Sequence, residues 1–562
     1  MQTSAAVIDG PTKHAPAIQT TVGNVIVRLL EHWGIGHAFG VISIHNMPIL
    51  DPLGERGNIR FIPARGEAGG LNMADAYARV SGNLGVAFTS TGTAAGNAAG
   101  AMVEALTAGS PVMHITGQVD LEHLDRNRAY IHEAPAQFEM LSAISKRAFR
   151  ITSPDELVAT MVAAAECALS APTGPVSIEI PVDIQGAAMA LPTELPALAP
   201  ARPATSEADI DAVFAMLKAA RRPMLMLGGG ARGAEAEATA LADLGVPIVT
   251  STNGRGIVPE THPLSLGAFN CTTQVQDLYD ACDLLIVAGS RLRGNETWTY
   301  KLRLPRPLAV IDVDATADGR TYANDLFVHG DVKAMLSGLV SRLMADAGER
   351  DPALEAEIAA ARTAMQSALR GGLGAYAEMV DAVQAAIGDE AAWVRDVTVS
   401  NSTWGNRYLR VGHSRAGVHA VGGGIGQGLP MAIGAALASP AGAIALSGDG
   451  GLNLCLGELA TMAEEQPDMT LILMNDAGYG VIRNIQDVDY GGRKHFSNIL
   501  VPDFGKIAEA LGLRHEKVTA VADFAKALAR AKAVKGAAIV EVDMIAIGPY
   551  PTKFAGPPKL VQ

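Results

Sequence analysis

Two polar clusters, each set at the end of an apolar run, limit what this chain can fold into. The first is Ser447-Gly448-Asp449-Gly450-Gly451 and the second Asn475-Asp476-Ala477-Gly478-Tyr479-Gly480, with Asp476 27 positions after Asp449. Ala443 to Leu446 precedes the first cluster and Met469 to Met474 the second. Apolar runs of this length, without alternation, read as strands buried on both faces of a parallel sheet. The stretch between them, Gly457 to Glu465, is helical in character and supplies the crossover that parallel strands need. Both clusters therefore fall at the carboxyl ends of strands, the rim where open α/β sheets bind ligands. Glycines let backbone N–H groups approach phosphate oxygens closely. Asp449 and the oxygens near residue 476 suit a hard divalent cation held between protein and diphosphate.

The same alternation runs through the whole chain. With 562 residues it is too long for one core, and the expected class is α/β, three doubly wound parallel-sheet domains. In the first block a helix over Val22–Trp33 leads to strands at His37–Val41, Val86–Thr89, Pro111–Thr116 and Val176–Ile180. In the second, strands are expected at Pro223–Leu227, Pro247–Thr250, Leu284–Val287 and Ala309–Val313. The boundaries predicted are an N-terminal arm over 1–20, a first domain over 21–186, and an Ala/Pro-rich extended linker over 187–206. A central domain over 207–345, a linker with a helix near Pro352–Arg370 over 346–374, a third domain over 375–547 and a tail over 548–562 complete the chain.

Composition narrows the function classes. A formal charge of −14 argues against non-specific nucleic-acid binding. Four cysteines without a C-x-x-C pair point to free thiols rather than a zinc site or a disulfide framework. No apolar stretch is long enough to span a membrane, and no basic-then-apolar leader opens the chain, so a cytoplasmic protein is expected.

Further motifs stand in a fixed order before the two clusters. They are Arg65-Gly66-Glu67-Ala68 with Ala74-Asp75-Ala76-Tyr77-Ala78-Arg79, then Thr89-Ser90-Thr91-Gly92-Thr93-Ala94-Ala95-Gly96-Asn97, then Gly423-Gly424-Ile425-Gly426-Gln427-Gly428-Leu429-Pro430. Together with the clusters they resemble the thiamin diphosphate-dependent superfamily of pyruvate decarboxylase, acetolactate synthase and benzoylformate decarboxylase. The resemblance implies Glu67 as the acid that hydrogen-bonds the cofactor's pyrimidine and relays its proton, a task that needs burial. The residue-level alternative is that Glu67 caps the helix beginning near Ala68. Ile425 is implied as the apolar wedge under a bent cofactor, in a loop that includes Gly423. Asp449, position 476 and the Gly478 carbonyl are implied as Mg²⁺ ligands. This chain has Asp476 where the family usually has Asn, so Asn475 in a shifted turn stays open as the ligand. Diphosphate contacts are expected from Gly448, Gly450, Gly451, Asn401 and Ser402, with Tyr479 and Gly480 fixing the turn.

Departures from the family leave the reaction open. There is no His-His pair, and Ile482 stands where pyruvate decarboxylases have a glutamate. Ser90 and Ile44 replace the histidine and serine of benzoylformate decarboxylases. His45, at a strand end, is the preferred replacement acid–base group. His114, on a core strand, reads as a buried structural histidine. His132, near Arg126 and Arg128, could bind an anionic substrate, although a solvated basic face accounts equally well for those arginines. In the central block, Gly228-Gly229-Gly230 and Ser290-Arg291-Leu292-Arg293 leave FAD or another nucleotide possible, an empty domain being the plainer reading. The implied activity is decarboxylation or carboligation of a small 2-oxo acid, as a homodimer or homotetramer in which the Glu67-type and Asp449-type residues meet across subunits. Alternatives are a flavin-containing acetolactate synthase-like enzyme, a 2-hydroxyacyl-CoA lyase and a silent binding protein of the same fold.

Overall fold

The long apolar runs become the inner strands of three parallel sheets in a computed structural model that describes residues 19–346 and 348–554. The first sheet has the order Arg60–Pro63, His37–Gly40, Gly85–Thr89, Val112–Gln118, Val176–Pro181, Arg147–Arg150. The third has the order Gly417–His419, Ala392–Arg395, Ala443–Gly448, Met469–Asn475, Ala537–Asp543, Arg514–Val518. Counted within its own block, each runs second, first, third, fourth, sixth, fifth, so the two sheets share one topology. The central sheet is five-stranded: Ile248–Thr250, Pro223–Leu227, Leu284–Ala288, Leu308–Asp312, Leu326–His329. Each sheet carries buried apolar clusters on both faces, as doubly wound packing requires.

The first and third sheets are joined by one continuous core that runs from Phe39 and Leu71 to Ile433 and Leu471. Its centre is the packing of helix Glu67–Ser81 against helix Gly428–Ala438. The approach is close because Gly434 has no side chain; a Cβ there would collide with the Met73 carbonyl. Helix Glu67–Ser81 follows strand Arg60–Pro63 and helix Gly428–Ala438 follows strand Gly417–His419, so each starts on the side of the strands' carboxyl ends.

The two segments expected as linkers pack on their neighbouring domains. Ala188–Ala190 pairs antiparallel with Gln19–Thr21, and Trp33 Nε1 donates to the Pro196 carbonyl at 3.0 Å, so the Ala/Pro-rich stretch is strapped to the first domain. The helix expected near Pro352–Arg370 is Leu354–Gly371, and it buries Leu354, Ile358 and Met365 against the central sheet. Of the expected arm over 1–20, residues 1–18 lie outside the described residues, and the tail is described to residue 554. Among the described residues no helix is long and apolar enough to cross a membrane. All four cysteines are free, Cys271 buried and the others half-buried.

Candidate active site

The two clusters that open the sequence reading lie side by side. Strands Ala443–Gly448 and Met469–Asn475 are adjacent and parallel, and Gly448 pairs with Met474 at their carboxyl ends. Asp449 begins the short helix Asp449–Leu454 and is 0% exposed. Its carboxylate accepts the Asp476 N–H at 3.1 Å and the Gly478 N–H at 2.7 Å. Burial first, and then the Asp476 carboxylate, pushes the Asp449 carboxyl up to about 7. A divalent cation between two such carboxylates would relieve both stresses, so the donor set fits a hard metal. Among the described residues no group of three or more His, Cys, Asp or Glu side chains could hold a metal by itself.

The glycines of the clusters are required by contact. A Cβ on Gly450 would lie 2.7 Å from the Tyr479 ring and 2.9 Å from the Gly478 carbonyl oxygen. That carbonyl therefore sits directly on the first cluster. Gly478 has φ +146°, and a side chain there would collide with the Ser497 carbonyl; one on Gly480 would collide with the Asp476 carboxylate. Asn475 turns away: its Nδ2 donates to Glu541 at 2.8 Å and its Oδ1 accepts the Ala477 N–H. The Asp at 476 has a counter-charge that sequence reading missed. Arg483 pairs with its carboxylate at 2.8 Å and donates to the carbonyls of Asp476 and Ala477 at 2.6 and 3.1 Å.

A second missed residue ties the other loop to this one. Asp396 follows strand Ala392–Arg395, is fully buried, and accepts N–H bonds from Val397 at 2.8 Å and Gly426 at 3.1 Å, and from Ser447 Oγ at 3.4 Å. Burial lifts its carboxyl to about 6. Asp396 thereby holds the Gly423–Pro430 loop against the first cluster, where a Cβ on Gly426 would lie 3.1 Å from the Gly451 carbonyl oxygen. Ile425 in that loop is 38% exposed, and the space around Gly423 is open. Asn401 is buried in the neighbouring turn with its amide oxygen unpartnered, beside half-buried Ser402. The open, glycine-lined cradle leaves room for a bound polar group.

Glu67 is the first residue of its helix, but Gly66 is the N-cap and Glu67 makes no capping bond. Its carboxylate instead accepts from Asn97 Nδ2 at 3.2 Å. Within one chain it is half-buried, not enclosed as the proton-relay role requires. Among the described residues no hydrogen bond or ion pair joins it to the Asp449 cluster. On the rim of the same sheet, His45 Nδ1 lies 3.3 Å from Ser90 Oγ, and the His45 and His132 rings are 5.0 Å apart. His114 is a satisfied core histidine between Thr89 and Ser177, with burial holding it down at about 4.

In the central block the glycines serve packing. Side chains on Gly228 and Gly230 would press on the turn at Gly289. Beside that turn, between the central domain and its neighbours, lies a cavity of about 250 Å³ lined by Arg79, Arg202, Arg232, Arg291, Arg293 and Arg415 together with Glu296 and Asp312, and Arg79 and Arg293 are paired with carboxylates. Arg232, Arg291 and Arg415 bond there to main-chain carbonyls of Ser414, Thr107 and Arg79. Burial, with Arg79 and Arg415 nearby, pulls Arg232 down to about 10.

A three-domain α/β protein with carboxylates at paired strand ends, facing a glycine cradle, defines a class, and comparison with known sequences agrees. The chain matches the thiamine pyrophosphate enzyme profiles for the N-terminal TPP-binding domain over residues 20–140, the central domain over 210–339 and the C-terminal TPP-binding domain over 398–542. It belongs to the thiamine pyrophosphate enzyme family. It is 32% identical over 480 residues, 84% of each chain, to a probable 2-ketoarginine decarboxylase of Pseudomonas aeruginosa. It is 30% identical over 478 residues, again 84% of each chain, to acetolactate synthase isozyme 1 large subunit of Escherichia coli. It is 28% identical to the acetolactate synthase large subunit of Mycobacterium tuberculosis, over 90% of this chain and 85% of that one.

Proposed function

We propose that this chain is a thiamin diphosphate- and Mg²⁺-dependent enzyme that decarboxylates a small 2-oxo acid, releasing an aldehyde or joining the fragment to a second carbonyl. The observation behind it is the buried Asp449 carboxylate, tied to the Asp476–Gly478 turn at the ends of adjacent strands. Asp449, Asp476 and the Gly478 carbonyl would hold the metal, with Asn475 committed to Glu541. Gly448, Gly450, Gly451, Asn401, Ser402, Tyr479 and Gly480 would surround the diphosphate, and Gly423 and Ile425 the ring above it. When bound, the cofactor supplies the electron sink that lets CO₂ leave. Glu67 would hold and return a proton at the pyrimidine, which requires a second copy of the chain to cover it. Its half-exposure, with Ile42, Ile44 and Ile131 exposed on the same domain, supports that assembly.

Incubation with a panel of 2-oxo acids, with CO₂ and product identified, tests the activity. Glu67→Gln is expected to reduce turnover by at least about 10²-fold while cofactor affinity changes little. Full activity in that variant would contradict the relay.

The arginine-lined cavity favours a second ligand, a flavin or nucleotide diphosphate held in the central domain. Protein purified without added nucleotide and then denatured should release a compound absorbing near 260 nm, with a yellow chromophore if it is a flavin. An empty supernatant, with no stabilisation on adding ADP or FAD, would contradict this.

A further inference from the structure

The rim of the first sheet brings together two histidines that lie far apart in sequence. His45 is 4% exposed, in the turn between strand His37–Gly40 and helix Met47–Arg56. It is locked from two sides. Gln185 Nε2 donates to its carbonyl at 2.7 Å, and a Cβ on Gly117 would collide with that carbonyl. Ser90 Oγ holds Nδ1 at 3.3 Å, which leaves Nε2 for a transferable proton. The His132 ring meets the His45 ring edge to face, at 5.0 Å and 74°.

His132 is exposed, on a segment in which Asp125, Asn127, Ala129, His132 and Ala136 all have positive φ. Such conformations are unfavourable without glycine, so the surrounding structure must impose them. Here it does. The Glu133 carboxylate accepts N–H bonds from Arg128 and Tyr130, and the His132 carbonyl packs on Gly92, where a side chain would collide with it. Gln137, just after the segment, accepts from Thr91 Oγ1 at 2.8 Å and Gly92 N at 2.7 Å and donates to Glu179 at 2.9 Å. The strained segment is thereby pinned with His132 against His45.

We propose that His45 and His132 act as one acid–base unit: His45 exchanges a proton with the reacting carbon of the substrate, and solvent-facing His132, packed against its ring, returns its proton through water. The unit rests on the 2-oxo acid reading above. In the aldehyde-releasing direction, the imidazolium form of His45 gives up its Nε2 proton to the electron pair on the substrate carbon, so that the N–H bond breaks as the C–H bond forms and a neutral imidazole is left. The neutral ring then takes a proton from water by way of His132. His132 is thus a positioning residue, and the charged groups facing His45 are His132 and Asp120. Burial and His132 hold His45 below its ordinary value, and Asp120 works in the opposite sense.

The test is a ¹⁵N-histidine NMR titration of the full-length protein, with His45 assigned from the signals lost in His45→Gln, beside the pH dependence of kcat/KM. In His132→Gln the His45 titration should move up by about 0.5–1 pH unit, and in Asp120→Asn it should move down. The pH–rate limb should follow both shifts, with calorimetric cofactor affinity within about twofold of the unsubstituted protein. His45 titrating at one pH in all three proteins would overturn the coupling. A shifted titration with a fixed pH–rate limb would overturn the acid–base role alone. Absence of turnover in the unsubstituted protein would instead remove the proposed function, and the unit with it.

Discussion

His114 shows how far one side chain's surroundings decide its chemistry. It is fully buried with both ring nitrogens bonded to hydroxyls, and burial holds it at about 4 against an ordinary 6.5. A neutral buried histidine leaves stability intact above the unfolded value. As pH falls from 6.5 towards 4 the unfolded chain takes up the proton and the folded one does not, so stability is lost across that window. The contribution is about 3 kcal/mol. Denaturant unfolding of the wild type and His114→Gln between pH 7 and 4 should show the two curves converging as pH falls. Parallel curves would show that His114 does not carry the loss. The departure at position 476 has the same local logic: a second carboxylate beside Asp449 is matched by Arg483 at 2.8 Å. The family resemblance pointed to Asp449, position 476 and Gly478, which the structure brings together, but Asp396 was illegible. A lone acid after a short strand carries no local signal, and its role depends on Gly426, 30 residues away. The His45–His132 contact is hidden for the same reason, since 87 residues separate the two rings.

At the scale of elements, legibility followed unbroken apolar runs rather than burial alone: the inner strands Ala392–Arg395, ending in arginine, and Ala537–Asp543, interrupted by Glu541, carry no such run. Inner strands such as Pro223–Leu227 and Met469–Asn475 are continuous apolar runs and were placed within a residue or two. Edge strands Arg60–Pro63, Arg147–Arg150 and Arg514–Val518 carry charge on their solvent side and are short, so no period marks them. The crossing of Glu67–Ser81 and Gly428–Ala438 is likewise invisible in either helix alone, yet it positions the Glu67 and Ile425 ends of the proposed site. Gly434→Val should force these helices apart and destabilise the protein by about 1–3 kcal/mol. The thermal midpoint and the cofactor affinity should fall together. A midpoint within error of wild type would contradict the close packing at Gly434.

For the whole molecule, the proposed site is one that a single chain would not complete. Glu67 and the Asp449 cluster stand on separate rims, and apolar side chains such as Ile44, Phe496 and Leu500 are exposed beside them. Sedimentation velocity at micromolar concentration should show a dimer or tetramer. A monomer that turns over substrate at full rate would contradict assembly of the site between copies.

The most direct test of the central claim is calorimetric titration of thiamin diphosphate into the purified protein with and without Mg²⁺, beside Asp449→Ala. Saturable binding that requires the metal and weakens by at least about 10²-fold in the variant is the expected result. Absence of binding to the unsubstituted protein, or equal binding to Asp449→Ala, would contradict the account.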